Sequence, residues 1–521
     1  MGWSIPGPQF CLMIYICTVN QFYKPLVESD FCVKPGYRHR QNPDLFDHAI
    51  QDSAVCSPDA YRLAAFLAGR VGCDTLIDLG CESGVQMSEI SSGLRLVGIG
   101  DLNNLNRLGK EHLGSICIEH DLGKHAFYLE DRELVRRSVV VCANVVERLI
   151  DPVPLLATLH DLLVDAPYAI VTTPERDLLR GHHHMGPPDD RRRVREWSLF
   201  EFATLLRGAG LNLEFAGLTA ESGRDPAKRT ILMLLRQQGM ESRISAPPGF
   251  RVVAFMCTYN EEDIIEATIR HVVSQGVEVH LVDNWSTDRT VERAEAFLGR
   301  GVRTITKFPP EAPSPSYDWH DLLRHVEDLS YSSDADWCIH YDADEIRESP
   351  WPHIQLRDAL FRVDCEGFNA IDHTCLVFHP TEGGTEDPAT ITSFDRFEFG
   401  KRGGHFQQIK AWRRQNAPIQ LAESGGHAAE FPGRKVYPFK FLLRHYPVRS
   451  QEHGMRKIFA DRRPRWNAVE RNARGWHIQY DHVENDHNFL KPPSELLEFN
   501  PAIFYVEYLV ERLSGIGVER T

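Results

Sequence analysis

The sequence lacks several features that would place it in common protein classes. Its 521 residues include 12 cysteines, but no CxxC pair and no cysteine–histidine cluster with the spacing of a zinc site. No apolar run approaches the roughly 20 residues of a membrane-spanning helix, and the early run FCLMIYICTV has no Lys or Arg before it. The net charge of −15 argues against a general nucleic-acid-binding protein. These absences predict a cytoplasmic protein with reduced thiols, without a membrane-spanning segment and without a nucleic-acid partner.

What the sequence does contain is an alternation of short β-branched runs and helix-length amphipathic stretches, which is typical of α/β domains. A chain of 521 residues is too long for one ordinary core. The stretch QQGMESRISAPPGFR is rich in polar residues, Pro and Gly, and it separates two apolar runs, so it indicates a domain boundary. We predict an N-terminal extension (1–44), a first α/β domain (45–236), a linker (237–250), a second α/β domain (251–460) and a helical C-terminal extension (461–521).

In the first domain, a tight glycine-containing turn follows the first predicted strand. The strand TLIDL ends in DLGCESG, which places Asp78, Gly80 and Gly84 around a strand-to-helix turn. Glycines let a backbone approach a ligand closely, and the helix that follows offers unpaired N–H groups. Asp101 follows the second strand, near the offset at which a carboxylate commonly receives ribose hydroxyls. Such a turn also occurs where a helix merely packs on a sheet, so both interpretations stay open.

The ordered series DLGCESG, LVGIGD, EHDL, VVVCANVVERLIDP and IVTTPERD resembles the motifs of class I S-adenosylmethionine-dependent methyltransferases, over about residues 45–236. The resemblance implies a Rossmann-like, doubly wound sheet and S-adenosylmethionine as cofactor. It also implies which residues bind that cofactor: Asp78, Gly80 and Gly84 at the methionine portion, Asp101 at the ribose, Asp121 at the adenine and Asn144 on the pocket floor.

The first domain departs from that family pattern at three positions. Glu82 stands where the family has a central glycine, Gly100 stands where the ribose-binding acid is expected, and Arg148 replaces a frequent histidine. Two interpretations follow. The domain is either an active methyltransferase or a scaffold that has lost this activity.

In the second domain, polar residues follow three successive strands at the point where each strand ends. The run VVAFMCT ends at Thr258, and Tyr259 and Glu261 follow it. The run VEVHLVD ends at Asp283, with Asp288 a few residues later. The carboxyl ends of parallel strands form the ligand-binding edge of an open α/β sheet. We therefore expect these side chains to contribute to one site, although capping and turn formation would also explain the two aspartates.

The third of these strands raises a question of charge. DWCIHY runs straight into Asp342, Asp344 and Glu345, and clustered carboxylates beside a core are costly to desolvate. A divalent cation, a cationic side chain or water must compensate them. Hard oxygen ligands at this spacing suit Mg²⁺ or Mn²⁺ bridged to a phosphate.

The motifs TYNEED, VDNWSTDRT and YDADE, in this order, resemble glycosyltransferase family 2 of the GT-A fold, over roughly residues 250–450. The resemblance implies metal-dependent transfer of a sugar from a nucleotide-sugar donor, generally with inversion. A departure is Asn284-Trp285, where members often have Asp-Gly. The implied donor-binding residues are Thr258, Tyr259, Glu261, Asp283 and Asp288, and the implied metal ligands are Asp342, Asp344 and the late His445, for which a structural role is the alternative.

The catalytic base is expected downstream of the metal motif. Asp372, Glu423 and His427 are candidates, and we favour Glu423 because glycines follow it and such segments commonly line active sites. The leading hypothesis is sugar transfer to a glycan or lipid-linked saccharide, coupled to methylation in polysaccharide or glycan biosynthesis. The alternatives are a glycosyltransferase with a degenerate methyltransferase-like scaffold, and a non-enzymatic nucleotide- or glycan-binding protein.

Overall fold

The computed structural model describes residues 31–44, 57–80, 93–101, 115–222, 225–239 and 245–514, apart from Arg402, His477, Gln479, Tyr480 and His482. Among these residues, no helix combines the length and the apolar composition that a membrane span requires. Gly84 and Glu82 of the glycine-containing turn lie outside the described residues.

The first half forms one seven-stranded sheet. Its first five strands are parallel in the order β3-β2-β1-β4-β5, and the hairpin β6–β7 adds two antiparallel strands with β7 next to β5. The crossover between β1 and β4 is the switch point of a doubly wound sheet. The strands are β1 Thr75–Leu79, β2 Arg95–Gly100, β3 Ile116–Glu119, β4 Ser138–Ala143, β5 Tyr168–Pro174, β6 Asn212–Ser222 and β7 Asp225–Arg236.

Helices cover this sheet through apolar faces. Ser198 and Glu201 form a capping box that begins the helix Leu199–Gly208, whose buried residues pack in the core of the first half. The described helices of this half are α1 Pro58–Val71, α2 Arg132–Arg136, α3 Val153–Leu162, α4 Arg176–Arg180 and α5 Leu199–Gly208.

The second half contains two sheets. The six-stranded sheet has the order β10-β9-β8-β11-β16-β13, with β10, β9, β8 and β11 parallel, and the five-stranded sheet has the order β12-β17-β14-β15-β18. The strands are β8 Val252–Thr258, β9 Glu278–Asp283, β10 Val302–Lys307, β11 Trp337–Asp342, β12 Glu345–Glu348, β13 Ala370–Ile371, β14 His373–Phe378, β15 Arg396–Phe399, β16 Ala411–Arg413, β17 Phe441–His445 and β18 Leu497–Glu498.

Longer helices flank the six-stranded sheet, and short helices follow the five-stranded sheet. In the helix Ile265–Ser274, the face that packs on the sheet consists of buried Ile265, Thr268, Ile269 and Val272. The helices are α6 Ile265–Ser274, α7 Thr290–Glu295, α8 Trp319–Ser332, α9 Leu356–Cys365, α10 Gly403–Phe406, α11 Gln451–Met455, α12 Ala468–Arg474, α13 Pro501–Glu507 and α14 Leu509–Ser514.

The two halves share one continuous apolar core. Phe215 of β6 packs edge-on against Phe439 with ring centroids 5.1 Å apart, and it stacks on Trp351 at 6.0 Å. Leu509 of α14 lies against Gly217 of β6, so the end of the chain returns to the first sheet. The predicted fold class, two α/β halves with a doubly wound sheet first, is confirmed. The predicted linker lies between the end of β7 and the start of β8. The exact domain limits stay predictions.

Candidate active site

The switch point of the six-stranded sheet lies between β8 and β11. These neighbouring parallel strands run in register, and Cys257 of β8 lies opposite Asp342 at the end of β11. β9 and β10 continue the sheet on one side of β8, and β16 and β13 continue it beyond β11. Ligands of open α/β sheets bind at such a crevice, so topology alone directs attention to the carboxyl ends of these two strands.

A cavity of about 440 Å³ opens at that point. It brings together residues that the sequence predicted separately, from three loops that are far apart along the chain. The predicted donor-binding and metal-binding residues that line it are Thr258, Tyr259, Glu261, Asp342, Asp344 and His445.

Two buried lysines compensate the carboxylates of the metal motif. Lys410 Nζ lies 2.8 Å from Asp342 Oδ2 and 2.9 Å from Glu345 Oε1. Lys457 Nζ lies 2.8 Å from Asp344 Oδ2 and 3.2 Å from Glu261 Oε1. The structure therefore supplies the cationic side chains that the sequence left open as one of three ways to balance these charges.

The second oxygen of each aspartate faces a histidine. Asp342 Oδ1 lies 3.8 Å from His340 Nε2, and Asp344 Oδ1 lies 3.7 Å from His445 Nε2. Burial tends to raise the pKa of Asp344, but Lys457 and His445 outweigh it and hold this pKa well below its ordinary value. Burial likewise opposes the charge of His445, yet the Asp344 carboxylate prevails and raises the imidazole pKa to about 10.

The donor set fits a divalent ion. An ion about 2.1 Å from each of two ligands accommodates donor atoms about 3–4 Å apart, and the separation of Asp344 Oδ1 from His445 Nε2 falls in that range. Asp342 adds a carboxylate that is 27% exposed at the cavity wall. Because each lysine contacts only the Oδ2 atom of its aspartate, both Oδ1 atoms remain on the histidine side.

A neighbouring cluster of Glu261, Asp263 and His453 also has the composition of a metal site. Its centre already holds a cation, because the guanidinium of Arg449 donates to both carboxylates and contacts His453 Nε2 at 2.7 Å. Burial opposes the charge of Arg449, but these acids raise its pKa. This cluster anchors the loop after β8 to the segment after β17.

Further cations face the cavity from the segment after α11. Lys457, Arg462 and Arg465 line it. The Arg465 guanidinium lies 4.2 Å from the centre of the Tyr259 ring and donates to Asn284 Oδ1 at 2.7 Å. Lys457 and Arg449 are both buried and ion-paired, but among these two only Lys457 belongs to the cavity lining.

The two remaining predicted donor-binding aspartates have different surroundings. Asp283 is fully buried opposite Thr258, its Oδ2 accepts from Ser286 N–H at 3.0 Å, and its Oδ1 has no hydrogen-bond partner among the described residues. Burial raises the pKa of this carboxyl. Asp288 accepts from the backbone N–H groups of Glu262 at 3.2 Å and Thr290 at 2.9 Å, which fastens the two loops together.

The three candidate bases lie in three environments. Glu423 does not belong to the cavity lining; its side chain is 60% exposed, and hydrogen bonds from Arg474 and His320 lower its pKa to about 2. Asp372 is buried against Lys440 at 3.1 Å. His427 lines the cavity, and burial together with Lys410 lowers its pKa to about 4, so its imidazole is neutral near pH 7.

Aromatic side chains that the sequence did not single out complete one wall of the cavity. Tyr317 and Trp319 stack with ring centroids 5.7 Å apart, and Trp319 Nε1 donates to the carbonyl of Gly425 at 3.0 Å. Trp476 lies on the other side of Gly425. Rings dispersed over 160 residues of sequence have no local pattern that would have revealed this wall.

At the switch point of the first sheet, the predicted cofactor residues have structural partners. Asp78 of β1 is buried and accepts from the Tyr61 hydroxyl at 3.2 Å. Asn144, with φ +55°, follows β4 and donates to Ser57 Oγ at 3.2 Å. Gly80 has φ +81°, and a Cβ atom there would lie 2.4 Å from Val145, so this turn requires glycine.

The two predicted acids after β2 and β3 are exposed. Asp101 directly follows β2. Asp121 follows β3 and pairs with Lys124 at 2.8 Å, and this contact lowers the pKa of Asp121. Their positions agree with the edge expected from the topology, and their roles toward a cofactor stay predictions.

Comparison with known proteins finds a family match in the second half. The sequence model of "Glycosyl transferase family 2" matches residues 253–307, which span β8 to β10 and contain Thr258, Glu261 and Asp283. No curated protein matches the chain.

Solved structures similar to this chain include S-adenosylmethionine-dependent methyltransferases. One from Aquifex aeolicus is 13% identical (TM-score 0.25; 35% of this chain, 89% of that one), and one from Mesorhizobium loti is 14% identical (0.25; 33% and 96%). Magnesium protoporphyrin IX methyltransferase from Synechocystis PCC 6803, with bound SAH, is 13% identical (0.24; 33% and 78%). Because each TM-score is below 0.5, the doubly wound fold rests on the strand order itself. The predicted combination of a segment that matches glycosyltransferase family 2 and a doubly wound first half is confirmed.

Proposed function

We propose that the second half transfers a sugar from a nucleotide-sugar donor to a hydroxyl group of a glycan or lipid-linked saccharide. One observation carries this proposal: six residues predicted from separate motifs converge on a single cavity at the β8/β11 switch point. The family match over residues 253–307 supports donor binding at the same strands.

The donor lies along the ends of β8 and β9 in this proposal. Thr258, Tyr259 and Glu261 line the cavity, whereas Asp283 is fully buried outside the cavity lining and is assigned to the nucleotide on the sequence resemblance alone. Asp288 supports this region through its loop contacts. Lys457, Arg462 and Arg465 provide positive charge for a diphosphate.

Asp342, Asp344 and His445 would hold Mg²⁺ or Mn²⁺. The ion supplies Lewis-acid stabilisation of negative charge on the departing diphosphate. Lys410 and Lys457 keep the carboxylates ionised and fix their orientation whether or not an ion is bound.

In the transfer step, a new bond forms between the acceptor oxygen and the anomeric carbon, while the bond from that carbon to the diphosphate oxygen breaks. A single displacement of this kind inverts the configuration. A base takes the acceptor proton. Glu423 is the base favoured by sequence, but His427 is the candidate in the cavity, and its neutral imidazole is able to accept a proton.

A panel of nucleotide sugars with Mn²⁺ or Mg²⁺ tests the proposal. We expect hydrolysis or transfer with at least one donor, and a loss of that activity in Asp344→Asn. If no donor is bound or consumed, or if Asp344→Asn retains full activity, the proposal is wrong.

For the first half, we propose S-adenosylmethionine binding by Asp78, Gly80, Gly84, Asp101, Asp121 and Asn144, with methylation of the same saccharide. A shared core would hold both sites at a high effective concentration. A non-catalytic scaffold is the second candidate, and the departures from the family pattern at Glu82 and Gly100 motivate it. Calorimetry with S-adenosylmethionine decides between them, because no binding at millimolar cofactor supports the scaffold.

A further inference from the structure

A cysteine and two histidines form a cluster beside the proposed metal ligands. One donor atom from each of Cys375, His405 and His445 lies within 4.8 Å of the other two. His405 and His445 line the cavity, whereas Cys375 is 1% exposed beneath them.

The fold fixes this juxtaposition. β14 and β17 are parallel neighbours, and His445 lies opposite Val377 in register. Cys375 precedes Val377 by two residues and therefore faces the same side of the sheet. The backbone N–H of Gly400 donates to the carbonyl of Cys375 at 3.0 Å, and the ring of His405 packs directly on Gly400.

The cluster is continuous with the carboxylate that the transfer reaction would use. His445 Nε2 lies 3.7 Å from Asp344 Oδ1. On the opposite side, Lys457 and Lys410 each lie 2.8 Å from the Oδ2 atom of their aspartate, and they compete with a cation for those oxygens. An ion thus finds two imidazoles and a thiol on the side that these lysines do not occupy.

We propose that Cys375, His405 and His445 form a metal site, and that this site prefers Zn²⁺ or Co²⁺ to Mg²⁺. The inference shares His445 with the proposed function but does not depend on that function for the location or the chemistry of the ion. Thiolate and imidazole ligands favour borderline ions, whereas Mg²⁺ prefers an all-oxygen shell. On binding, the Cys375 thiol and the His445 imidazolium each release a proton to solvent, and the freed sulfur and nitrogen donate to the ion.

Titration of the chelator-treated full-length protein with Co²⁺ alone tests the ligand set. We expect a near-ultraviolet thiolate-to-cobalt absorption band at one equivalent, which a hundredfold excess of Mg²⁺ does not remove. Cys375→Ser should abolish the band, and His405→Ala should weaken Co²⁺ binding at least about tenfold. The matched control is Cys338→Ser, a buried cysteine on β11 whose Sγ contacts the Ser330 carbonyl, and it should keep the band.

X-ray absorption of the Zn²⁺-loaded wild-type protein provides a test that needs no variant. One sulfur at about 2.3 Å from zinc is expected, and a shell of nitrogen and oxygen only overturns the proposal. Absence of the cobalt band in the wild type, or its persistence in Cys375→Ser, also overturns it. Sugar-nucleotide turnover is measured separately: turnover with Mg²⁺ but no thiolate band defeats this inference alone, whereas a band without donor binding defeats the proposed function.

Discussion

The two halves of this chain solve the same architectural problem with different results. Each has a parallel sheet with a switch point, at β1/β4 in the first half and at β8/β11 in the second. At β8/β11 the predicted residues converge on one cavity. At β1/β4 the described residues Asp78 and Asn144 instead bond to the nearby side chains of Tyr61 and Ser57. Shared topology therefore indicates where a site can form, and the partners differ in charge, because lysines pair with Asp342 and Asp344 whereas the Tyr61 hydroxyl donates to Asp78.

Buried carboxylates show the same contrast. In the second half, Asp344 has Lys457 at 2.8 Å, and its pKa stays well below the ordinary value despite burial. In the first half, Glu147 is fully buried, its Oε1 has no hydrogen-bond partner among the described residues, and burial raises its pKa to about 7. A paired acid keeps its charge in the interior, and an incompletely paired acid tends to lose it.

The largest effect is expected when the Asp344 carboxylate in the cavity lining is neutralised. Asp344→Asn should lower donor turnover about a hundredfold or more, because it removes a proposed metal ligand and half of a charge pair. Steady-state kinetics with a donor found in the panel measures it, with thermal unfolding to verify folding. The matched variant Asp121→Asn, in the exposed acid of the first half, should change turnover less than about twofold. Equal losses in both variants would remove the distinction between the halves.

The next effect separates the base favoured by sequence from the one in the cavity. His427→Ala should lower kcat about a hundredfold while leaving donor KM nearly unchanged, since a general base acts in the transition state. Glu423→Gln should lower kcat less than about threefold, because this carboxylate is exposed and paired with Arg474. The reverse ranking would support the original prediction.

Glu147 allows a test of the electrostatic contrast by pH. Its pKa is raised in the folded state, so the protein loses stability as the pH rises from about 4.5 through about 7. Glu147→Gln removes this dependence. The free energy of unfolding of the variant, relative to that of the wild type, should therefore rise by about 3 kcal/mol between pH 5 and pH 8. Urea unfolding at the two pH values measures the difference. Asp344, with its lowered pKa, contributes fully throughout this range and loses its contribution only at more acidic pH.

Local sequence pattern was sufficient for two of the parallel strands. TLIDL and VVAFMCT were predicted with the bounds that the structure has, because continuous apolar runs between turn residues define buried parallel strands. The order of motifs along the chain was also sufficient to bring Thr258 and Asp342 to one edge, since the carboxyl ends of parallel strands meet there.

Side-chain partners from distant segments could not be predicted in this way. Lys410 reaches Asp342 across 68 residues, and Lys457 reaches Asp344 across 113. Neither lysine belongs to a periodic pattern that points to its partner. The same reason explains the return of α14 to Gly217 and the approach of Cys375 to His405, because each depends on how whole elements pack.

Gly80 tests the turn at the first switch point. Gly80→Ala forces a Cβ atom to within 2.4 Å of Val145 at φ +81°, so it should destabilise the protein by about 2 kcal/mol. Urea unfolding measures this cost, and Gly72→Ala, with φ +76° but open space at its Cβ, is the control for backbone strain alone. If S-adenosylmethionine binds the wild type, Gly80→Ala should weaken that binding as well. A cost equal to that of Gly72→Ala would show that contact with Val145 is unimportant.

The smallest effect distinguishes the two aspartates that follow β9. Asp288→Ala should cost about 1 kcal/mol of stability, because it removes acceptors for two backbone N–H groups, and it should change nucleotide affinity less than about threefold. Asp283→Asn should leave stability within about 1 kcal/mol but weaken nucleotide binding more than about tenfold, since the sequence resemblance assigns this carboxylate to the nucleotide and the amide removes its charge. Calorimetry with the nucleoside diphosphate of the active donor measures both affinities. Similar losses of affinity would mean that Asp288 contacts the nucleotide too, and the site would then extend beyond the ends of β8 and β9 to the loop that begins α7.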